Sequence, residues 1–237
     1  MYYYETHLHT APISACAKSS VRESLEFYKS IGYAGVFMTD HFIDGNFELA
    51  SRELPYAERI KRYFSAYEEG RIIGEEIGIS VFPGFEMAHG WAHFLVYGID
   101  CEWCLGHADM DKMKKSDLLS AMIDDGALII QAHPFRTVKE EIRLYPNHVH
   151  GVEIVNTARG DFENRLALQY CENYGLIKFA GSDNHWAGAH KKLGGVATEK
   201  RIESVADFKE TVLSGGARPF VRDESGFVFL DRDEVCI

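Results

Sequence analysis

Strand-like apolar runs in this chain repeatedly stop, or start, on a histidine or a carboxylate, and that recurrence restricts the fold more than any other feature. The first case is Tyr2-Tyr3-Tyr4-Glu5-Thr6-His7-Leu8-His9-Thr10. Aromatic and β-branched residues lead there into two histidines spaced i, i+2, which a strand points to one face. Two neutral imidazoles side by side suit Zn, Fe or Mn, although a lone His-x-His on a strand is as often a satisfied polar pair. The pattern then repeats. Run 34–39 ends on Asp40-His41, run 79–85 on Glu86, run 127–132 on His133-Pro134 and run 177–182 on Asp183-Asn184-His185, while run 93–98 begins with His93.

Helical periodicity fills most of the gaps. Ser19-Ser20 with Glu23 reads as a capped helix start, and Val21, Leu25, Tyr28 and Ile31 keep helical spacing until Gly32. Segments 56–78, 117–126 and 161–175 are also expected helices, the last with Phe162, Leu166 and Tyr170 on its apolar face. Residues 87–92 are too few for a crossover helix, so Glu86 and His93 belong on antiparallel neighbours, at the same end of the sheet. Gly151–Asn156 is a further strand, 202–215 a last helix and 218–235 a short β meander. About seven mostly parallel strands with helices between them, and ligand-type residues at one rim, are the pattern of a (β/α) barrel with chemistry at the carboxyl ends. Without a linker, composition shift or repeat, 1–237 reads as one domain.

The rim residues are His7, His9, His41, Glu86, His93, His133, Asp183 and His185, which include six of the eleven histidines. So many converging nitrogen and carboxylate donors need charge compensation that a cluster of metal ions supplies most simply. A net charge of −11 argues against a long nucleic acid as partner, but not against a small phosphorylated substrate held by metal. No apolar run reaches about 18 residues, so no membrane span is expected, and the N-terminus lacks a basic-then-apolar leader. Five cysteines, an odd number, fit a reducing cytoplasm. Cys101-Glu102-Trp103-Cys104 has redox or zinc spacing but no second pair, and reads as two partly buried loop thiols.

The motifs His7-Leu8-His9-Thr10, Thr39-Asp40-His41, Gly84-Phe85-Glu86, His93-Phe94-Leu95-Val96-Tyr97-Gly98, Ala132-His133-Pro134 and Gly181-Ser182-Asp183-Asn184-His185 resemble, in order, those of the polymerase-and-histidinol-phosphatase (PHP) family. The resemblance covers residues 5–186. It implies a distorted (β/α)7 barrel, two or three divalent metals and hydrolysis of phosphate esters. By the same resemblance His7, His9, Glu86 and Asp183 hold a first metal, Glu86 bridges to a second on His93 and His133, and His41 and His185 belong to a third.

A metal-bridging hydroxide attacking phosphorus would follow from two such cations, with Glu86 central and Asp183 or His185 steering protons. Arg136 and Arg159 are candidate phosphate clamps, because a guanidinium fork fits phosphate. A phosphomonoesterase on a small metabolite is the leading expectation. The alternatives are an exonuclease or nucleotide phosphodiesterase, a C–N hydrolase, or a non-catalytic metal module. The oligomeric state is not legible. One departure from the family concerns the third metal: where relatives place a His or Asp, 12–16 reads Pro-Ile-Ser-Ala-Cys. The missing charge would come from the Cys16 thiolate, if its loop brings it close, or from substrate phosphate. Phosphate is the expectation, because an unanchored loop cysteine is more often a buried thiol than a ligand.

Overall fold

Local signals start and stop the helices where the sequence supplies them. The structure, a computed structural model, describes residues 1–136 and 141–230. After β1 (Tyr2–Leu8), helix α1 (Val21–Ser30) begins at Ser20, whose side chain accepts from Glu23 N while Glu23 reaches back to the Ser20 backbone, a complete capping box. Strand β2 (Gly35–Met38) leads to α2 (Tyr56–Ile77), which stops at Gly78 in the left-handed conformation, φ 76°. Then follow β3 (Ser80–Pro83), β4 (Phe85–His89), β5 (Ala92–Tyr97), α3 (Cys101–Gly106), α4 (Lys115–Asp124), β6 (Leu128–Ala132), β7 (Gly151–Asn156), α5 (Asp161–Tyr174) and β8 (Ile177–Gly181). The chain ends with β9 (Leu193–Thr198), α6 (Val205–Leu213), β10 (Ala217–Asp223) and β11 (Gly226–Phe229).

The result is a mixed α/β fold with two sheets, ordered β11-β10-β9-β1-β2-β3 and β4-β5-β6-β7-β8. Pairings β1–β2, β2–β3, β6–β7 and β7–β8 are parallel; the β4–β5–β6 and β1–β9–β10–β11 ladders are antiparallel. Among the described residues the ladders do not close into one continuous barrel, and single bridges, Leu8↔Asn184 and His41↔Glu86, join the sheets instead. The reason lies in run 79–85, which the sequence reads as one strand. It breaks at Gly84, so β3 pairs with β2 while β4 pairs with β5. A Cβ at Gly84 would lie 3.1 Å from Thr39 Cγ2 and Tyr97 Cδ1 and 3.2 Å from Val96 O, so any larger residue there would have to push these neighbours back by a few tenths of an ångström. Glu86 consequently sits inside β4 rather than at a strand end.

Both sheets contribute to a buried aromatic cluster of Tyr4, Phe37, Phe82, Tyr97, Phe179 and the α6 residue Phe208, with the Phe37 and Phe208 rings 4.1 Å apart. Each such ring removed from water contributes roughly 1.5–3 kcal/mol. Tyr97 also donates to Thr6 O at 2.7 Å, tying the cluster to the residue before His7.

Three expectations need correction. Strand β9 was not foreseen, because Gly194-Gly195 erases its apolar pattern. Those glycines are required: a Cβ on Gly195, φ 153°, would lie 2.0 Å from Tyr4 O. Phe162 is 59% exposed, while the expected Tyr170 is buried on α5 together with Asn164, Ala167 and Cys171. Cys101 and Cys104 lie on helix α3, capped by Asp100, rather than in a loop. The meander ends in β11, and its expected continuation to Val235 falls outside the described residues.

Candidate metal centre

The carboxylate of Glu86 is the point on which the rim converges. The β4–β5 hairpin is antiparallel, with Ala88 opposite His93, and it brings His93 Nδ1 to 2.8 Å from Glu86 Oε1. On the same oxygen, His133 Nε2 stands at 3.0 Å and His7 Nε2 at 3.5 Å. The other oxygen, Oε2, faces His41 Nδ1 at 2.7 Å and His9 Nε2 at 3.7 Å. Asp183 closes the group from the end of β8, with Oδ1 at 3.3 Å from His9 Nε2 and 3.6 Å from His7 Nε2. His185 lies beside it, Nδ1 at 2.9 Å from the Asp183 carbonyl oxygen, and its ring stacks on His9 with centroids 4.1 Å apart. All eight rim residues are thus in one place.

A second layer aims these rings. His7 Nδ1 meets Glu153 Oε1 at 2.9 Å, and His9 Nδ1 meets Ser14 Oγ at 3.0 Å. With those nitrogens engaged as donors, the two Nε2 atoms face each other across 3.1 Å, a contact that either a proton on His7 or a cation near both satisfies. Glu153 also accepts from His133 N at 3.0 Å and from Asn156 Nδ2 at 2.9 Å. Ser14 donates to Asp40, which Thr10 anchors from its backbone and hydroxyl. The sequence reading missed Glu153, Ser14 and Asp40 as members of the site. A carboxylate in the middle of the buried strand Gly-Val-Glu-Ile-Val-Asn was the available signal for Glu153.

The donor set fits metal on this structure's own terms. His133 Nδ1 is buried without a hydrogen-bond partner, which native interiors rarely tolerate, and the buried Glu86 Oε2 has the His41 imidazole at 2.7 Å. Donor atoms of His7, His9 and Glu86, of Glu86, His93 and His133, of His7, His133 and Asp183, and of His9, His41 and His185 lie within 4.8 Å of one another in each group. Cations with bonds of roughly 2.0–2.2 Å span such groups. His133 (φ 28°) and Asp183 (φ 53°) hold left-handed backbone, strain that concentrates at functional sites, and His133 does so although a proline follows.

Without cations, protons balance the charge. Burial pushes the His7 imidazolium down, but Glu153 and Asp183 outweigh it and hold His7 well above the ordinary range. Burial likewise opposes protonation of His41, and Glu86 overrides it to about 10. Glu86 and Asp183 stay well below the carboxylate range, because neighbouring imidazoles overcome the cost of their burial. Burial and the charges of His185 and His41 keep His9 neutral, and burial brings His133 down to about 4.

A cavity of about 520 Å³ opens over the cluster. Arg136 and Arg159 both line it, as does Arg52, which the sequence reading did not single out. Arg159 Nη2 contacts Asp183 Oδ2 at 2.7 Å, and the Nε atoms of Arg136 and Arg159 are buried with no hydrogen-bond partner. Cys16 lines the cavity too. It is exposed rather than buried, and the neighbouring His185 and His41 imidazoles more than offset its partial burial, bringing its thiol to about 6.

Solved structures with this fold place it in context. The chain matches a two-domain protein of Bacteroides vulgatus containing a predicted PHP-like metal-dependent phosphoesterase at TM-score 0.68 and 16% identity, over 92% of this chain and 64% of that one. It therefore spans less than two-thirds of that protein. A candidate metal-dependent phosphoesterase of Bifidobacterium adolescentis matches at TM-score 0.57 and 13% identity, covering 90% of this chain and 96% of the other. An amidohydrolase of Chromobacterium violaceum, solved with sulfate and no metal, matches at TM-score 0.53 and 13% identity, covering 79% and 89%. No family model and no curated protein matches the sequence.

Proposed function

We propose that this chain, which shares the fold of PHP-like metal-dependent phosphoesterases, is a metal-dependent phosphomonoesterase of small phosphorylated metabolites. The observation that supports it most is that three arginines line a cavity floored by the Glu86 cluster, two of them with a buried, unpartnered Nε. A guanidinium fork suits phosphate, and about 520 Å³ lies within the usual range of small-ligand pockets.

His7, His9, Glu86 and Asp183 would hold one divalent cation, and Glu86 with His93 and His133 a second; His41 and His185 belong to a third. Bound there, Zn, Mn or Fe supplies activation of water and neutralisation of phosphoryl charge. The chain's own groups do the rest. Arg136 and Arg52 orient the phosphate, and Arg159 exchanges part of its contact with Asp183 for a phosphate oxygen. Asp183, between His9 and Arg159, steers the proton to the departing alkoxide. The acidic balance of the chain disfavours long nucleic acid as substrate.

Purified protein reloaded with Mn, Fe or Zn and offered a panel of phosphomonoesters, phosphodiesters and amides tests the proposal. Phosphate release from monoesters is expected, reduced about 10- to 100-fold by Arg136→Ala on the scale of one lost charged contact, roughly 1.5–3 kcal/mol. Cleavage confined to diesters or amides would refute it.

A further inference from the structure

We infer that the substrate's leaving group is a polyol or a sugar, read through its hydroxyls by Asp44 and Asn46. This rests on the phosphomonoesterase reading above and deepens it by naming the substrate class and the residues that select it.

The character of the cavity wall is the first observation. Ligand pockets are usually lined by hydrophobic and aromatic side chains. Among the described residues this wall carries no phenyl, phenol or indole ring, and no aliphatic side chain larger than the methyl of Ala88. Imidazoles, guanidiniums, carboxylates and one amide make up most of the rest. An aryl or alkyl leaving group would strip water from these polar groups and give nothing back. A chain of hydroxyls replaces that water bond for bond.

The placing of acceptor and donor on that wall is the second. Glu86 and Asp183 face the histidines, so Asp44 is the lining carboxylate left for substrate. Its Oδ1 accepts from Ala88 N at 3.2 Å. Its Oδ2 stands 3.6 Å from Lys115 Nζ, beyond hydrogen-bond length, and the side chain is 27% exposed, so lone pairs remain to be used. Buried Lys115 already balances the charge of Asp44, and the group Asp44 takes is therefore a neutral donor rather than a second ammonium. Asn46 supplies the opposite polarity. Its Oδ1 accepts from Arg52 Nη2 at 3.1 Å, and because a guanidinium only donates, that bond orients the amide and leaves its NH2 to donate.

A hydroxyl both donates and accepts, so it matches an acceptor and a donor two residues apart. The loop that presents them is fixed. Gly45 N donates to Phe42 O at 2.8 Å, Ala15 N donates to Asn46 O at 2.9 Å, and the flanking Phe42 and Phe47 are wholly buried. Arg52, bonded to Asn46, joins this wall to the arginines proposed for phosphate.

Two esters of equal chain length test the inference: a hexitol monophosphate and hexyl phosphate, hydrolysed by the Mn-loaded full chain. Their kcat/KM ratio cancels metal loading, and comparing that ratio between variants cancels the intrinsic reactivity of the esters. The wild type should favour the hexitol ester. Asp44→Asn should lower the ratio about 10- to 100-fold, the scale of a hydrogen bond to a charged group, and Asn46→Ala about 2- to 10-fold. Asn46→Ala leaves the Lys115–Asp44 pair in place, so it decides the question if Asp44→Asn fails to fold. A wild-type preference for hexyl phosphate, or a ratio that neither variant moves, overturns the proposal alone. So does phosphate release confined to monoesters without hydroxyls. No release from any monoester overturns it together with the reading it rests on.

Discussion

Replacing Glu86 by glutamine tests the centre most directly, because the change is isosteric and removes one charge from a side chain that faces two groups of histidines. Oε1 serves His93, His133 and His7 at 2.8, 3.0 and 3.5 Å, and Oε2 serves His41 and His9 at 2.7 and 3.7 Å. A carboxylate offers lone pairs to both sides. An amide must turn its NH2 toward one of them, where it meets imidazole nitrogens that need their lone pairs for metal. Losing an outer partner of a metal site costs 10- to 100-fold in affinity, so losing a direct anionic donor costs at least about 100-fold per cation, or ~2.7 kcal/mol. Both groups lose it, so two affinities should fall together. Competition titration against a chelator of known affinity reads them separately, and elemental analysis after dialysis gives the stoichiometry. Metal content should fall by two equivalents, with phosphate release reduced to background. A variant that keeps two tightly held equivalents and turns over within threefold of wild type would refute the bridging role of Glu86.

Other outcomes follow from the same geometry. Glu153→Gln, which takes the charge from the partner of His7 Nδ1, should weaken metal binding about 10- to 100-fold while leaving the arginine-lined wall intact, measurable by the same titration. His41, held at about 10, is protonated at pH 7.5 without metal, and Glu153 and Asp183 shift His7 in the same direction against its burial, so metal uptake in weak buffer should release protons from these imidazoles, at least one of them from His41. The sign for stability is fixed as well. These raised values stabilise the metal-free fold fully below the unfolded histidine value, about 6.5, and the contribution is lost as pH rises through the folded value of His41, about 10. The melting temperature of chelator-treated protein should therefore fall between pH 7 and 10, and the metal-loaded protein should not share that fall. Gly195→Ala should destabilise by about 3 kcal/mol or more in urea titration, because its Cβ would lie 2.0 Å from Tyr4 O inside a buried ladder.

What the sequence made legible was whatever local chemistry writes down. Ser20 and Glu23 announce the start of α1, and Gly78 and Gly175 stop α2 and α5, because caps and left-handed residues act within a few positions. The spacing of Glu86 and His93 announced their hairpin, because six intervening residues cannot cross a sheet. The gathering of eight ligand-type residues was legible from their common placement at strand ends. What stayed hidden depends on contacts far apart in the chain. Gly84 looks like any turn glycine until Thr39 and Tyr97 press on it from other strands, and the split into two sheets falls at that contact. Likewise β9 hides its strand character behind two glycines that only the backbones of Tyr4 and Gly181 explain. The position of Cys16 was hidden too, because a loop's anchors, here Asn46 and His185, cannot be read from the loop itself.

The division into two sheets gives bound ions a second role. His7, His9 and His41 belong to β1 and β2 or follow them directly, whereas Glu86, His93, His133, Asp183 and His185 come from the sheet built on β4–β8. The backbone bonds that cross the seams lie among these same residues: His9 N to Asn184 O, Asn184 N to His7 O, Phe42 N to Glu86 O and Glu86 N to Asp40 O. A cation held by His7, His9, Glu86 and Asp183, as proposed, would therefore be a rivet through two plates. Its removal leaves protons to balance the charge across the joint, and the seam then opens more readily than the interior of either sheet. Amide exchange at His9, Phe42, Glu86 and Asn184 should quicken on chelation while the interior of β6 and β7 stays protected. The reagent that activates water would then also be the fastener that keeps the two halves of the molecule in register.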